Sequence, residues 1–163
     1  MSYLLKMLLI MTSLLVMSGC GLQQYTKSTS VAGYPYRYAD FDYKYAWQTT
    51  ATDHGIAIDG VMKNVRYAYI DSSLITVTAL DKDGRTITSA SDFPTPQQSR
   101  EGEVCAFNLL LRDFRPAEGD VLHFQIHYSG NEGHGGIDWH SSFKVDAQRG
   151  TVIHPPRKNP DEW

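Results

Sequence analysis

Apolar and polar residues alternate along most of the chain with a period of two rather than 3.6. Ile56, Ile58 and Met62 fall on alternate positions, and Ile75 and Val77 alternate with threonines. This pattern is typical of β-strands that bury one face. Seven such segments can be marked, at residues 43–50, 56–63, 75–79, 85–90, 104–111, 121–128 and 139–145.

Short turn-forming sequences separate these segments. Asp81–Gly84 combines an aspartate that can bond its own backbone with a glycine that accepts a positive φ, and a glycine-rich loop spans 130–136. No stretch has the period of an amphipathic helix longer than about one turn. The pattern therefore predicts an all-β fold, an antiparallel immunoglobulin-like sandwich of about seven strands. On the strand after the Asp81–Gly84 turn, Ile87 is expected to face the core.

The first twenty residues have a different composition from the rest of the chain. Lys6 precedes an apolar run at 7–17, and Ser18-Gly19-Cys20 follows it. One positive charge, a short apolar run and small residues are the layout of an export signal. The run is shorter than the roughly 20 residues of a bilayer span. A retained signal anchor is the alternative interpretation.

Ser18-Gly19-Cys20 resembles the lipobox of bacterial lipoproteins, in which small residues precede a cysteine that is acylated and becomes the first residue. The resemblance implies lipidation of Cys20 and a place in the bacterial cell envelope. Gly21, rather than aspartate, after the cysteine favours the outer membrane. The expected organisation is a signal peptide at 1–19, a lipidated tether at 20–33, a sandwich domain at 34–149 and an extended proline-rich tail at 150–163.

The composition excludes some functions. Fifteen basic and 18 acidic side chains give a net charge of −3, which offers no basic surface for nucleic acid. Cys20 and Cys105 are too few for a disulfide scaffold, and the apolar neighbours of Cys105 predict a buried strand residue. No Gly-x-Ser-x-Gly elbow or phosphate-binding glycine motif is present. We therefore expect neither an enzyme nor a bound cofactor.

Three segments are similar to the FxLYD-type and related fibronectin-like domains of bacteria. They are Gly60 to Asn64, the long run from Leu74 to Arg85 with its Leu-Asp-x-x-Gly hairpin, and the Glu118-Gly119 turn that leads into the strand ending at Ile126. The resemblance covers residues 44 to 146. It implies an extracytoplasmic sandwich module without known catalysis.

Aromatic residues are concentrated in one short segment. Seven of them lie within fourteen residues, at Tyr34, Tyr36, Tyr38, Phe41, Tyr43, Tyr45 and Trp47. Tyrosine and tryptophan combine a large contact area with a polar tip, so the segment could form an interaction face for a protein or for sugar rings. Alternating aromatics are equally good strand residues with one face on the core. Both interpretations remain open at this point.

Histidines and acids near the glycine-rich loop offer a second candidate site. His127, His134, Asp138 and His140, with Glu132 nearby, could hold a transition metal if the loop folded back. Exposed loop histidines are the alternative. His123 and His127 share a strand face, but at about 13 Å they are too far apart to share one ion unaided.

Asp81–Gly84 begins like a calcium loop. Its glycine comes two residues early and no glutamate stands at the twelfth position, so a hairpin turn is the better interpretation.

The sequence thus predicts a non-enzymatic envelope lipoprotein. It would be a membrane-tethered sandwich that binds another envelope protein through a sheet edge or the tyrosine-rich segment. The alternative function is ligand binding, with polysaccharide on the aromatic residues or a metal ion on the histidines.

Overall fold

A computed structural model describes residues 31–133 and 135–153. After a 3-10 turn at Val31–Gly33 the chain forms eight strands. These are β1 (Tyr36–Ala39), β2 (Tyr43–Thr52), β3 (Gly55–Asn64), β4 (Tyr69–Leu80), β5 (Thr86–Asp92), β6 (Val104–Arg112), β7 (Val121–Asn131) and β8 (Gly136–Asp146). No helix within the described ranges is long and apolar enough to cross a membrane.

The strands form two antiparallel sheets of four. The first sheet has the order β1-β2-β3-β6 and the second has the order β5-β4-β7-β8. The chain crosses between the sheets after β3, after β5 and after β6, which gives an immunoglobulin-like sandwich. The predicted fold class is therefore confirmed. Within the described residues, β1 (Tyr36–Ala39) is an additional strand that precedes the seven predicted ones.

The sandwich core is built mainly from aromatic side chains. Phe124 and Phe143 of the second sheet stack with ring centroids 4.7 Å apart, and Trp47 of the first sheet lies 5.2 Å from Phe124. Tyr38 stacks on Phe143 at 4.2 Å. Aromatic pairs at such distances add to the stabilisation from burial alone. Cys105 of β6 is buried in this core, as predicted.

The tyrosine-rich segment belongs largely to this core. Tyr38, Tyr43, Tyr45 and Trp47 are all buried, so the predicted interaction face is wrong for these four residues. The physical reason is strand pairing: Tyr36 lies opposite Trp47 and Tyr38 opposite Tyr45, which turns one face of β1 and β2 towards the second sheet. Tyr34 and Tyr36 are half-buried.

The hairpin that joins β4 to β5 has the predicted turn, but the predicted orientation of Ile87 is wrong. Asp81 Oδ1 accepts hydrogen bonds from the backbone N–H groups of Asp83 (2.9 Å) and Arg85 (2.8 Å), so the predicted turn is confirmed. The register then shifts: Ala79 lies opposite Thr88, but Leu80 lies opposite Thr86. The extra residue is Ile87. Thr88 and Ala90 lie opposite the buried residues Ala79 and Val77, so alternation places Ile87 on the outer face, where it is 47% exposed instead of facing the core.

The alternation of strand directions gives the sandwich two distinct ends. We call the first the loop end. It carries the β1–β2 turn, the β3–β4 and β7–β8 connections and residues 93–103. At the opposite end, the tether end, the chain enters β1 at Tyr36 and leaves β8 at Asp146.

Candidate functional site

The structure brings together three of the predicted metal ligands on the outer face of the second sheet. His127 of β7 lies directly opposite His140 of β8, and Asp138 lies two residues along β8 on the same face. One ligand atom from each residue falls within 4.8 Å of the others. The two imidazole rings stack with centroids 4.4 Å apart and an interplanar angle of 10°. His127 Nε2 and an Asp138 carboxylate oxygen are hydrogen-bonded.

The β7–β8 hairpin creates this arrangement. Its register pairs Asn131 with Gly136, so His127 and His140 are equally far from the connection. Asn131 Oδ1 accepts a hydrogen bond from the backbone of Gly133 (2.6 Å), and Gly133 adopts a φ of 89°, which favours glycine. The equal distance of the two histidines from this connection therefore places them opposite each other.

Three of the four predicted ligand residues come together, but strand pairing rather than a folded-back loop places them there. The hairpin runs straight instead of folding back, and Asn131 and Gly136 lie four residues, about 13 Å, from His127 and His140. Glu132 pairs with Arg66 instead of the histidines. The Arg66 guanidinium lowers the pKa of the Glu132 carboxyl. The fourth predicted ligand, His134, lies outside the described residues.

The two histidines border a shallow groove. His127 and His140 line a depression of about 340 Å³ with polar residues such as Gln125 and with the apolar Leu74 and Ile126. All three ligand residues are exposed, so an ion could reach them from solvent, and binding would replace the hydrogen bond between His127 and Asp138. Two imidazoles and one carboxylate suit Zn²⁺, Cu²⁺ or Fe²⁺, and three protein ligands leave a coordination position open.

A buried polar network holds β8 in place beside this site. Asp40, in the β1–β2 turn, accepts hydrogen bonds from the backbone of Asp42 (2.9 Å) and Tyr43 (2.7 Å) and from the hydroxyl of Ser141 on β8. Burial raises the pKa of Asp40 in spite of these bonds. The network therefore fixes the strand that carries Asp138 and His140.

Arg66 connects the same network to the loop end. It pairs with Asp42 at 3.0 Å, and its guanidinium lies 4.1 Å from the ring centroid of Trp139 on β8. Tyr128 also donates to Asp42, and burial raises the pKa of its hydroxyl. Cation–π and ion-pair contacts that share one arginine order both partners.

The loop end presents exposed aromatic side chains, of which only Phe41 belongs to the aromatic segment singled out in the sequence. Tyr67 is 86% exposed, Phe41 61% and Trp139 45%, and Tyr69 is also exposed. Tyr67 and Tyr69 line a groove with Arg100, Glu101, Asn131 and Glu132. Tyrosine, tryptophan and arginine are enriched in protein-binding surfaces. The sequence offered no signal for Tyr67, Tyr69 and Trp139, since only the loop geometry brings them to the same end as Phe41.

Cys105 is unsuited to nucleophilic chemistry. Burial is the main cause of the raised pKa of its thiol, and a hydrogen bond with Ser99 offsets this rise only in part. A reactive thiol requires the opposite shift. The structure therefore agrees with a packing role for this residue.

Comparisons with known proteins give weak structural similarities only. No protein-family model and no curated protein matches the chain. Among solved structures, the GAE domain of GGA2p from Saccharomyces cerevisiae is similar with 10% identity and a TM-score of 0.37, over 67% of this chain and 96% of that domain. Bacteroides uniformis beta-glucuronidase 2 is similar with 15% identity and a TM-score of 0.34, over 66% of this chain and 13% of that enzyme. Neither likeness carries a function to this chain.

Proposed function

We propose that the chain is a non-enzymatic, lipid-anchored β-sandwich of the bacterial envelope that binds a divalent transition-metal ion through His127, Asp138 and His140. The observation that carries the proposal is the approach of three ligand atoms to within 4.8 Å of one another. Histidine and aspartate are common ligands of zinc and copper. The pairing of β7 with β8 holds these three side chains close together in the absence of an ion. Zn²⁺ and Cu²⁺ are the proposed ions.

The membrane anchor in this proposal rests on Ser18-Gly19-Cys20. Two or three acyl chains, each contributing about 0.8 kcal/mol per buried CH₂, hold a protein on a bilayer. The tether would join the domain at Tyr36, so the loop end lies at the far end of the domain from the anchor. Gly21 favours the outer membrane. A Cys20→Ala variant that is still processed and still sediments with membranes would contradict the anchor.

Calorimetric titration tests the metal site. We expect the detergent-solubilised full chain to bind one Zn²⁺ or Cu²⁺ per chain, and His140→Ala and Asp138→Asn each to weaken binding by at least about tenfold, or about 1.4 kcal/mol. His123→Ala is the matched control, because His123 lies on the same face of β7 but outside the cluster. Equal affinity in all four proteins would overturn the proposal.

A second function, protein interaction, is favoured by the exposed aromatics of the loop end. Trp139 combines exposure with an Arg66 contact, and the exposed Tyr67 lines a groove with Arg100; tryptophan, tyrosine and arginine are enriched among the residues that dominate interface energies. Crosslinking in native membranes should recover an envelope protein that is lost in the Tyr67→Ala/Trp139→Ala variant. Ile87→Ala, which also removes an exposed apolar side chain, should retain it. The same recovery from all three would exclude this surface.

A further inference from the structure

The half of β8 that carries two of the proposed metal ligands contributes little to the sandwich core. Every side chain from Gly136 to Ser142 is half-buried or exposed, and the first buried side chain of the strand is Phe143. The connection that precedes this half, at 132–135, is rich in glycine. Segments with few buried apolar contacts open locally at a low cost in free energy. The shared position of the three ligands therefore depends on contacts that keep this half of β8 paired with β7.

Trp139 lies between the two ligands of β8, on the opposite face of the sheet. Three consecutive pairs of the β7–β8 ladder are His127–His140, Tyr128–Trp139 and Ser129–Asp138. Successive residues of a strand point to opposite faces, so Tyr128 and Trp139 point inward where the ligands point outward. A contact that holds the Trp139 side chain in place therefore holds the backbone between Asp138 and His140.

Arg66 makes that contact and links it to two other elements. Its guanidinium lies 4.1 Å from the centroid of the Trp139 ring and 3.0 Å from a carboxylate oxygen of Asp42. It also pairs with Glu132, in the connection between β7 and β8. Tyr128, the strand partner of Trp139, donates its hydroxyl to the same Asp42 carboxylate. One guanidinium thus joins the connection, the ligand-bearing half of β8 and the β1–β2 turn.

The backbone of Arg66 is itself fixed within the β3–β4 connection. Its N–H donates to Oδ1 of the buried Asn64 at 2.9 Å, and its carbonyl oxygen accepts from the N–H of Ala68 at 2.8 Å. Only 9% of the Arg66 side chain is exposed. Charges that are shielded from water interact more strongly than pairs on an open surface. Arg66 is therefore a fixed point from which β8 can be held.

We infer that Arg66 is a positioning residue of the proposed metal site, which keeps the ligand-bearing half of β8 paired with β7 so that all three ligands can share one ion. This inference rests on the proposed metal-binding function. An arginine side chain is a hydrogen-bond donor without an acceptor, so its role is positioning and not coordination. Only chains in which this half of β8 is paired can use all three ligands. A lower paired fraction lowers the apparent affinity in the same proportion.

Zinc titration and amide hydrogen exchange of the detergent-solubilised full chain test the inference together. Arg66→Met should weaken Zn²⁺ binding at least about fivefold, and the amides of segment 136–142 should exchange at least about fivefold faster without metal. Arg85→Met is the matched control, because Arg85 is an exposed arginine that pairs with Asp83 in the β4–β5 turn. It should change neither quantity.

A second control separates positioning from a general loss of stability. Gly60→Ala is expected to destabilise the fold, because a Cβ there would lie 2.3 Å from the Phe107 ring, but Gly60 is on β3 of the other sheet. It should bind Zn²⁺ with the affinity of the natural chain. A loss of affinity in Gly60→Ala equal to that in Arg66→Met would overturn the specific role of Arg66.

The copper spectrum distinguishes a positioning residue from a ligand. At saturating Cu²⁺ the ion itself stabilises the paired arrangement, so Arg66→Met should regain the natural electron paramagnetic resonance spectrum with two imidazole nitrogens. His140→Ala should keep only one nitrogen at any copper concentration. A one-nitrogen spectrum of saturated Arg66→Met would contradict the inference.

Trp139→Leu removes the ring beneath the guanidinium and leaves Arg66, its two carboxylate partners and all three ligands in place. It should also weaken Zn²⁺ binding and speed exchange of segment 136–142. In the double variant the loss of affinity should be smaller than the product of the two single losses, because both substitutions remove the same contact. Fully multiplicative losses would show that Arg66 does not act through Trp139.

Failure of the inference and failure of the proposed function give different results. If the natural chain binds no Zn²⁺, both are overturned. If the natural chain binds Zn²⁺ and Arg66→Met matches it in affinity or in exchange, the positioning role alone is overturned. Circular dichroism monitors folding, and if Arg66→Met does not fold, the affinity and exchange of Trp139→Leu decide the result.

Discussion

The inner face of β1–β2 and the outer face of β7–β8 both carry side chains that are common in binding sites, yet they have opposite environments. Tyr43, Tyr45 and Trp47 occupy alternate positions of β2 and all point into the sandwich. Asp138 and His140 occupy alternate positions of β8 and point into solvent. The comparison teaches that residue type alone does not identify a site on a strand. A site is identified by the face of the sheet on which the residue lies, and the pairing of the strands determines that face.

The two regions should respond oppositely to mutation, and the largest effect is expected at Trp47. Its side chain is fully buried between the sheets against Phe124 and Phe143. Trp47→Ala should lower the free energy of unfolding by about 3–5 kcal/mol, because it leaves a cavity. The neighbouring Gln48→Ala, on the exposed face, should change it by less than about 0.5 kcal/mol. Urea denaturation measures both, and similar losses would contradict the assignment of faces.

A smaller loss is expected at Gly60, next to the same aromatic layer. A Cβ atom there would lie 2.3 Å from the Phe107 ring and 2.8 Å from the carbonyl oxygen of Ala46. Gly60→Ala should therefore cost about 1–3 kcal/mol through overpacking. Gly135→Ala, where a Cβ meets nothing within 4 Å, is the control for the hairpin region. Equal thermal stability of the two variants would show that the inner layer is not tightly packed.

Asp40 links the two regions, because it lies in the β1–β2 turn and accepts a hydrogen bond from Ser141 of β8. The pH dependence of the unfolding free energy tests its contribution. Burial raises its folded-state pKa above the ordinary value of 3.8, so protonation favours the folded chain. This contribution is complete below the unfolded-state pKa and is lost as the pH rises through the folded-state pKa. Relative to Asp40→Asn, the natural protein should therefore be most stable in acid and lose that advantage towards neutral pH. If the difference in unfolding free energy between the natural protein and Asp40→Asn did not change with pH, this expectation would be contradicted.

The smallest change in stability is expected on the outer face. His140→Ala should alter the free energy of unfolding by less than about 0.5 kcal/mol without metal, because the side chain is exposed. With Zn²⁺ at a hundred times its dissociation constant, the natural protein alone should gain about 2.7 kcal/mol. Thermal denaturation with and without Zn²⁺ measures the contrast. A large loss in the metal-free variant would indicate a structural role instead.

Much of the fold could be predicted from the sequence because one buried face per strand leaves a period-two pattern. Segments such as 121–128 and the Asp81–Gly84 turn follow directly from that pattern. β1 was missed because a four-residue strand is too short to show a period. The prediction for Ile87 is wrong because its hydrophobicity suggested the inner face, whereas the pairing with β4 places the less apolar Thr88 and Ala90 there.

The candidate site was only partly predictable, for a related reason. His127, Asp138 and His140 could be named from their chemistry, but their proximity depends on the register between β7 and β8. A register follows from the exact length of a hairpin connection, which glycine-rich sequence leaves undetermined. The same limit applies to Tyr67 and Trp139, which three-dimensional loop packing alone brings to one end.

The most direct test of the metal site is electron paramagnetic resonance of the full chain with one equivalent of Cu²⁺. The proposed site predicts one copper species with two imidazole nitrogens as ligands, reduced to one nitrogen in His127→Ala and in His140→Ala and unchanged in His123→Ala. A spectrum of weakly bound, heterogeneous copper that is the same in all four proteins would contradict metal binding by His127, Asp138 and His140.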